Sequence, residues 1–487
     1  MSCPIHSVNA LLAQLAPAAP QGPAAVEATG LVHPHPRPAT ARRAEPEAPP
    51  AHWLLGHLPD MKRDLLGFYE RCERDFGAVV PLRLYNVRFY LVNDPEWIRR
   101  ILVTDDALFV KPTGLQAVKP LLGEGLVSSD GEYWRRQRAL MQPCFHKKMV
   151  DGYADAVTRC MGTLFERWDA ASKRNVPADM SDVTLDVVAR ALFGIDITAA
   201  RPAAYGALRA VQEFFVSWRQ HYLPLPIWVP LEAHRKLRRA VEALDESIYA
   251  IIDARRDSPA SRDDLLSRLL EASRGDDPGQ VRRMLRDELV VMMLAGHETS
   301  AAALSWALFE LARHPQAMAT LREEIDRVLE GRAPTAEDLP RLPYLAHVVR
   351  ETLRLYPSLY NMGRVATVPY TIEGHTVRPG ENVIMPQWSV HRSHRYYDDP
   401  HAFLPERWTS DRARTLPKFA YFPFGGGPRN CIGAQLAMLE IKLILAATVG
   451  RYDFQVEEPG AAVYPEAALT LRPMPGVPMR IRRRELR

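Results

Sequence analysis

Helical periodicity dominates the chain between about residue 60 and residue 355. Apolar side chains recur there at the spacing of amphipathic helices, in a series of segments separated by polar or proline-containing breaks. The segments are 62–76, 95–103, 132–142, 149–169, 183–193, 208–218, 233–256, 281–313, 315–330 and 345–355. An apolar run over 434–447 adds a further helix, which we expect to be buried.

Strand-like alternation is limited to three shorter regions. Residues 79–92 alternate on both sides of Tyr85 and Asn86, as a small hairpin would, and residues 469–482 alternate like a second hairpin. Short strand-like runs within 368–386 are separated by two glycine-containing turns. With no internal repeat, and no linker after residue 50, the pattern predicts one large domain over residues 51–487. Its fold class is mainly α with a minor β region.

Residues 1–50 differ from the rest in being rich in proline and alanine. Such a segment cannot build a core, so we expect an extended or disordered N-terminal extension. His33 and His35 could bind a metal there, although a solvated linker is the favoured interpretation.

Composition excludes several classes of protein. The net charge of +4 is small, and no long basic run is interleaved with aromatics, so nucleic acid is not an expected partner. The five cysteines are scattered without a Cys-x-x-Cys pair, which argues against a disulfide framework or zinc site and suits a reducing compartment. No run approaches the roughly 20 apolar residues of a membrane helix, and the first residues lack signal-peptide order. We expect a cytoplasmic protein without a transmembrane anchor.

One cysteine has surroundings that suit metal binding. Cys431 lies in a glycine-rich loop, residues 424–433 (FGGGPRNCIG), directly before the apolar helix 434–447. Free N–H groups and the helix dipole at that position favour a thiolate, a ligand for a soft or borderline metal such as heme iron. Two alternatives are a small core cysteine and an anion-binding nest of glycine N–H groups. The nest is less favoured, because no Lys-Ser or Lys-Thr follows the glycines.

The segment 287–313 is apolar almost throughout, which places its helix in the middle of the protein. It contains His297-Glu298, as zinc proteases do, but Ala301 stands where that motif requires a second histidine. Thr299 can donate a hydrogen bond to the carbonyl of Ala295, one turn earlier.

This back-bond has a structural and a functional interpretation. In the structural one, Thr299 satisfies its own helix and Glu298 reaches solvent or an arginine. In the functional one, the back-bond opens the helix and Gly296 removes side-chain bulk, which leaves room for dioxygen and water beside a flat cofactor.

The loop 424–433 matches Phe-x-x-Gly-x-Arg-x-Cys-x-Gly at every fixed position, and it resembles the heme-binding loop of the cytochrome P-450 family. The resemblance extends from about residue 50 to the C-terminus, with the motifs in the expected order. It implies the cytochrome P-450 fold around a buried heme b, with Cys431 as the iron ligand and Phe424 among the cofactor-binding residues.

Further motifs carry the same resemblance. The central helix is similar to the family's oxygen-binding helix, which implies that Thr299 holds oxygen and water by hydrogen bonds and that Glu298 relays protons. The candidate partners of the two heme carboxylates are Trp134 and Arg138, which match Trp-x-x-x-Arg, together with Arg364, Arg429 and Lys111.

Glu351, Arg354 and Arg407 are similar to the family's Glu-x-x-Arg motif and its downstream arginine, which implies a structural role behind the heme-binding loop. The segments 108–126, 214–228, 359–362 and 466–469 occupy its substrate-facing positions, and their apolar character suggests a hydrophobic substrate. Core packing is an equally plausible use of the aromatics in 214–228. Pro224, Pro226 and Pro230 break this stretch, which suggests a loop that could act as a lid.

The resemblance implies a heme-thiolate monooxygenase of the soluble bacterial type, active in secondary metabolism. It would insert one oxygen atom from dioxygen into a hydrophobic small molecule. No flavin or iron–sulfur segment follows the heme-binding helix, so we expect electrons from a ferredoxin with its reductase, or from a flavodoxin. Alternatives are a peroxide-dependent hydroxylase and a non-catalytic heme-binding sensor, and the Glu298–Thr299 pair counts against both.

Overall fold

The computed structural model describes residues 48–112, 115, 119–220, 229, 231–257, 264–409, 411–458, 460 and 462–485. The predicted N-terminal extension lies almost wholly outside these residues. Helices dominate the described part of the chain, as predicted. They are α1 (Leu58–Arg63), α2 (Leu65–Phe76), α3 (Pro95–Arg99), α4 (Lys119–Leu122), α5 (Gly131–Met141), α6 (Lys147–Gly152), α7 (Ala154–Ala170), α8 (Val176–Phe193), α9 (Arg201–Gln220), α10 (Glu232–Asp257), α11 (Leu265–Ala272), α12 (Pro278–Arg313), α13 (Pro315–Leu329), α14 (Pro343–Leu355), α15 (Gln387–Val390), α16 (Asp411–Thr415) and α17 (Ala434–Arg451).

The strands form a smaller part of the described protein. They are β1 (Val79–Leu84), β2 (Val87–Val92), β3 (Phe109–Val110), β4 (Lys173–Asn175), β5 (Met362–Ala366), β6 (Tyr370–Ile372), β7 (His375–Val377), β8 (Asn382–Met385), β9 (Tyr452–Val456), β10 (Tyr464–Ala467), β11 (Leu471–Met474) and β12 (Pro478–Arg483). The largest sheet has the order β1-β2-β8-β5-β3, and a second sheet has the order β4-β12-β9. Two further pairs are β6-β7 and β10-β11.

The two predicted hairpins have different outcomes. Residues 79–92 form the predicted hairpin, with Leu84 opposite Val87 and Tyr85 at φ 53° in the turn. The second hairpin, over 469–482, is wrong, because β11 pairs with β10 while β12 pairs with β4 and β9. Alternation within a strand reports which face is buried and does not identify the partner strand.

Some helices begin or end where the periodicity alone shows no break. The predicted helix 62–76 is divided at Asp64, whose extended backbone (φ −160°, ψ 88°) lets its carboxylate accept the N–H of Gly67 and start α2. The predicted helix 149–169 is divided between α6 and α7 at Tyr153. At Asp64 a capping side chain therefore decides a boundary that apolar spacing leaves open.

The helix α12 runs through the middle of the protein for 36 residues, and its apolar side chains are buried on all sides. It packs most extensively against α8, and the Thr184 hydroxyl of α8 donates to the carbonyl of His297 at 3.0 Å. Helices α14 and α17 lie against other faces of α12. The prediction of a central helix is confirmed, and everything that follows is arranged around its middle turns.

Candidate active site

Cys431 lies in a closed loop three residues before the first residue of α17. Its N–H donates to the carbonyl of Phe424 at 2.9 Å, and the N–H of Asn430 donates to the carbonyl of Gly427 at 3.1 Å. These bonds fold the loop back on itself, so that the two ends of the motif 424–431 meet. The arrangement holds the cysteine at a fixed point beside the helix end.

The glycines of the loop are required by close contacts. Gly425 and Gly427 have φ of 72° and 69°, a backbone region that glycine adopts without strain. A Cβ on Gly427 would also overlap the carbonyl oxygen of Leu102, in the π-helical turn after α3, and a Cβ on Gly426 would overlap the ring of Phe419. The backbone of Leu102 and the ring of Phe419 therefore pack against the loop and leave no room for side chains at Gly427 and Gly426.

The acid–base balance at Cys431 differs from the expectation. Burial raises the pKa of the thiol, and the N–H of Gly433 and the charge of Arg138 lower it without reversing the shift. The contribution of the helix end thus has the predicted sign, but burial outweighs it. Cys431 is nevertheless an exposed residue, and a bound cation would take the place of the thiol proton.

Arg138 and Trp134 lie on α5, one turn apart, and face different groups. Arg138 donates to the carbonyl and to the side-chain oxygen of Asn430, both at 2.8 Å, and so holds the residue that precedes Cys431. Trp134 is buried, and the cations of Lys111 and Arg429 lie 5.5 Å and 5.4 Å from its ring centroid. The two motif residues therefore reach the cysteine loop and the cation cluster respectively.

Three of the four cations predicted to contact the heme carboxylates, Arg364, Arg429 and Lys111, gather in one place, whereas Arg138 is engaged by Asn430. Arg429 donates to Asp106 and, at 2.9 Å, to Asp130, while its Nε finds no acceptor among the described residues. Lys111 donates from Nζ to the carbonyls of Leu126 and Ser129, each at 2.6 Å. Counted with Arg364, the three cations outnumber these two carboxylates, and the Nε–H of Arg429 remains unused among the described residues.

Arg364, on β5, is the most deeply buried cation of this cluster. Its side chain donates to the carbonyl of Gly363 at 2.8 Å, and its Nε has no acceptor among the described residues. Burial lowers its pKa to about 10, and Arg429 adds to that effect. Burial likewise lowers the pKa of Lys111 to about 7, against the opposing charge of Asp130. A group bearing carboxylates would supply the missing acceptors, so these residues fit the heme that the motif implies.

Thr299 lies in the middle of α12 and makes the predicted back-bond. Its hydroxyl donates to the carbonyl of Ala295 at 2.8 Å, on a face of the helix that is accessible. The carbonyl of Thr299 in turn accepts the hydroxyl of Ser358 at 2.8 Å. The oxygen of the Thr299 hydroxyl can therefore still accept a hydrogen bond. The carbonyls of Ala295 and Thr299 are already engaged by side-chain hydroxyls.

Gly296 has a packing reason that sequence did not indicate. A Cβ at this position would lie 2.9 Å from a methyl group of Val188 on α8. The missing side chain therefore lets α12 and α8 approach closely. The position a side chain would occupy faces α8. This contact therefore explains the glycine by helix packing and not by the expected space beside a cofactor.

Glu298 is buried and engaged by neutral donors. Its Oε1 accepts from the amide of Gln212 on α9 at 2.6 Å and from the hydroxyl of Thr470 at 2.8 Å. Its Oε2 finds no partner among the described residues. Burial raises the pKa of Glu298, while Thr470, Gln212 and the charge of Arg472 oppose the shift. Among the described residues its direct partners are neutral side chains, not an arginine as the structural interpretation allowed.

Gln212, Thr470 and Arg472 are the residues near Glu298 that sequence reasoning missed. Gln212 is 86 positions from Glu298 and Thr470 is 172, and neither belongs to a motif. The only available signal was the segment 466–469, which ends directly before Thr470.

The predicted structural set behind the loop is assembled as expected. Glu351 and Arg354 are fully buried, and two hydrogen bonds of 2.9 Å and 2.8 Å join them. Arg407 and Trp408 donate to the same carboxylate at 2.9 Å and 3.0 Å. This network fixes α14 to the segment that leads into the cysteine loop.

The substrate-facing predictions are covered only in part. Phe214 is a core residue, with its ring 5.5 Å from that of His234 on α10, whereas Leu359 is partly exposed. Tyr222, Trp228 and the prolines beside them lie outside the described residues, as do the side chains of Phe215 and Trp218.

Within the described ranges, no cluster of three His, Cys, Asp or Glu side chains could hold a metal ion. No helix in those ranges has both the length and the hydropathy needed to cross a bilayer.

Comparison with known proteins gives a consistent result. Residues 46–477 match the Cytochrome P450 family model. Cyclooctatin synthase of Streptomyces melanosporofaciens is 34% identical over 450 residues, which cover 91% of this chain and 97% of that protein. Cyclooctat-9-en-7-ol 5-monooxygenase of the same organism is 34% identical over 414 residues (83% and 88%). Pentalenene oxygenase of Streptomyces avermitilis is 31% identical over 430 residues (87% and 94%). The chain therefore belongs to the cytochrome P450 family and is a heme monooxygenase of hydrophobic substrates.

Proposed function

We propose that Cys431 ligates the iron of a heme b and that Thr299 and Glu298 manage proton delivery during hydroxylation of an unsaturated, mostly hydrocarbon substrate. The observation that carries the proposal is the closed loop around Cys431. It holds this exposed cysteine beside the start of α17. When bound, the heme iron would supply the activation of dioxygen. The thiolate is the donor that favours O–O cleavage in such proteins.

The surrounding residues have complementary roles in holding the cofactor. Arg364, Arg429 and Lys111 would pair with its carboxylates, with Trp134 packed against two of these cations. Phe424 would contribute through the loop, as its carbonyl is the acceptor that closes it. No Cys-x-x-Cys-His attachment motif occurs in the sequence, which suits a heme held without covalent links.

Two side chains of α12 can hold and move a proton. The Thr299 hydroxyl gives its hydrogen to the carbonyl of Ala295, so its oxygen can accept from a water. Burial raises the pKa of Glu298 above its usual range, which favours the protonated form that a general acid needs. Gly296 contributes to the same turn by letting α12 approach α8 closely.

The proposed substrate class rests on the names of the relatives. Cyclooctat-9-en-7-ol is by its name an unsaturated alcohol and pentalenene an alkene. A largely hydrocarbon ring compound of secondary metabolism agrees with the hydrophobic character of the segments predicted to face the substrate.

Electrons would come from a ferredoxin with its reductase, or from a flavodoxin. Arg135 and Arg136 are exposed on α5, the helix whose Arg138 holds the cysteine loop, so an acidic donor could approach there. The buried free thiols of Cys72, Cys144 and Cys160 suit a reducing, cytoplasmic setting. Residues 51–487 would form the catalytic domain and residues 1–50 an extension.

The test has two stages. A panel of cyclic alkenes that includes pentalenene and cyclooctat-9-en-7-ol is first screened for the change in heme spin state that accompanies substrate binding. With a bound compound, Thr299→Ala should consume oxygen and electrons at a similar rate but form about tenfold less product. Thr299→Ser, which keeps the hydroxyl, is the matched control. Unchanged product per oxygen in Thr299→Ala would contradict the proposed role.

A further inference from the structure

The carboxyl of Glu298 has an asymmetric environment. Both of its hydrogen-bond donors, the Gln212 amide and the Thr470 hydroxyl, reach Oε1, and Oε2 has no partner among the described residues. An oxygen that already accepts two hydrogen bonds is a poor place for a proton. The proton of the neutral acid therefore belongs on Oε2, the oxygen that is free to pass it on.

The orientation of the Gln212 amide is determined by a third residue. Arg472 on β11 donates from Nη1 to Oε1 of Gln212. An arginine has donors only, so the amide must turn its oxygen to Arg472 and its NH₂ to Glu298. Arg472 is itself held by Glu466, with its Nε and Nη2 at 2.7 Å and 2.6 Å from the same carboxylate oxygen. In the hydrogen-bond series Glu466–Arg472–Gln212–Glu298, each donor and acceptor is therefore fixed: Arg472 donates to Glu466 and Gln212, and Gln212 donates to Glu298.

The turn that carries Thr470 is attached to α12 and to the segment after α14. The indole N–H of Trp306, two turns after Glu298 on α12, donates to the carbonyl of Leu471 at 3.0 Å. The N–H of Leu471 donates to Ser358, whose hydroxyl donates to the carbonyl of Thr299. Thr470 is therefore fixed relative to the same turn of α12 that it contacts.

We propose that Gln212, Thr470 and Arg472 are positioning residues for proton delivery, which occupy Oε1 of Glu298 so that its proton resides on Oε2. The inference rests on the proposed role of Glu298. An amide does not readily carry protons, so Gln212 acts by holding the carboxyl, and Arg472 acts through Gln212. No part of this set belongs to a motif of the sequence.

The first measurement needs no turnover. The carbonyl stretch of protonated Glu298 is identified by infrared difference spectroscopy as the band lost in Glu298→Gln. In Gln212→Met the carbonyl oxygen loses one of its two donors, so the band should move to higher frequency. Thr470→Val should shift it in the same direction, and Thr470→Ser, which keeps the donor, should not. Arg209→Met, on the exposed face of α9 one turn before Gln212, is the control.

The second measurement follows turnover with a bound compound. Gln212→Met and Thr470→Val should each lower product per electron by about fivefold, the factor for one lost hydrogen bond between neutral groups. Substrate affinity from the spin-state titration should be unchanged. Arg472→Met should have a smaller effect, and Arg472→Lys should restore much of it.

The outcomes separate the two claims. If Glu298→Gln itself leaves product per electron unchanged, the proposed role of Glu298 is wrong. If Glu298→Gln lowers it but Gln212→Met and Thr470→Val behave like Arg209→Met in both band position and coupling, the positioning inference is wrong while the role of Glu298 stands.

Discussion

Arg364 keeps its charge in a place where the described protein offers almost no acceptor. Burial lowers its pKa to about 10, so it remains cationic near neutral pH. Lys111 and Arg429 lie close enough to repel it, and the carboxylates of Asp106 and Asp130 are already engaged by Arg429. Unpaired buried charge is costly, and a cofactor that brings two carboxylates would turn this cost into binding energy.

Replacement of Arg364 should therefore weaken retention of heme more than it weakens the fold. In Arg364→Met we expect heme loss to be at least about tenfold faster, because one or two hydrogen bonds to charged groups disappear. The rate is measured by transfer of heme to a scavenging apoprotein in excess. Arg378→Met, in the exposed turn after β7, is the control, and equal rates in the two variants would contradict this role.

At the scale of elements, α14 is important because its buried carboxylate connects it to the segment before the cysteine loop. Glu351 on α14 accepts from Arg354, Arg407 and Trp408, and the backbone N–H of Leu404 joins them at 3.0 Å. One buried carboxylate therefore ties a helix to the segment before the cysteine loop. Its two arginines are partners in a region without bulk water.

Loss of this carboxylate should lower the free energy of unfolding and the heme content. In Glu351→Gln the arginines are left buried without their counter-charge, and breaking such a pair costs about 3–5 kcal/mol of the free energy of unfolding. Urea unfolding measures the change. Glu323→Gln, on the exposed face of α13, should cost almost nothing, and a similar result for both variants would show that the network is not needed.

The elements that sequence reasoning located well are those whose signal is local. The hairpin turn at Tyr85 and the wholly apolar α12 follow from neighbouring residues, and so does the loop of Cys431. Pairing of β11 with β10 could not be predicted, because alternation carries no information about the partner strand. Gln212 was missed for a similar reason, since its importance lies in a contact across 86 positions.

At the scale of the whole molecule, a buried acid on α17 links stability to pH. Glu440 is buried beside Ser300 of α12, and burial raises its pKa from 4.5 to about 8, against the opposing effect of Ser300. The folded protein therefore holds a proton that the unfolded chain releases between these values. The stabilising contribution is complete below pH 4.5 and is lost as pH rises through about 8.

Glu440→Gln should remove this dependence. We expect the wild-type protein to lose more stability than the variant between pH 5 and about pH 8, because the amide stays neutral throughout. Urea midpoints at several pH values measure the difference. Glu323→Gln is the control and should follow the wild-type profile. If the profile of Glu440→Gln is also parallel to that of the wild-type protein, the pKa of Glu440 is not raised in the folded state.

The central claim is that the thiolate of Cys431 is the iron ligand, and the absorption spectrum of the reduced, carbon-monoxide-bound protein tests it most directly. The wild-type protein should show the red-shifted band of thiolate ligation, and Cys431→His should bind heme but lose that band. Cys160→Ser, which alters a buried cysteine on α7, should keep it. Absence of the band in the wild-type protein, or its persistence in Cys431→His, would contradict the assignment.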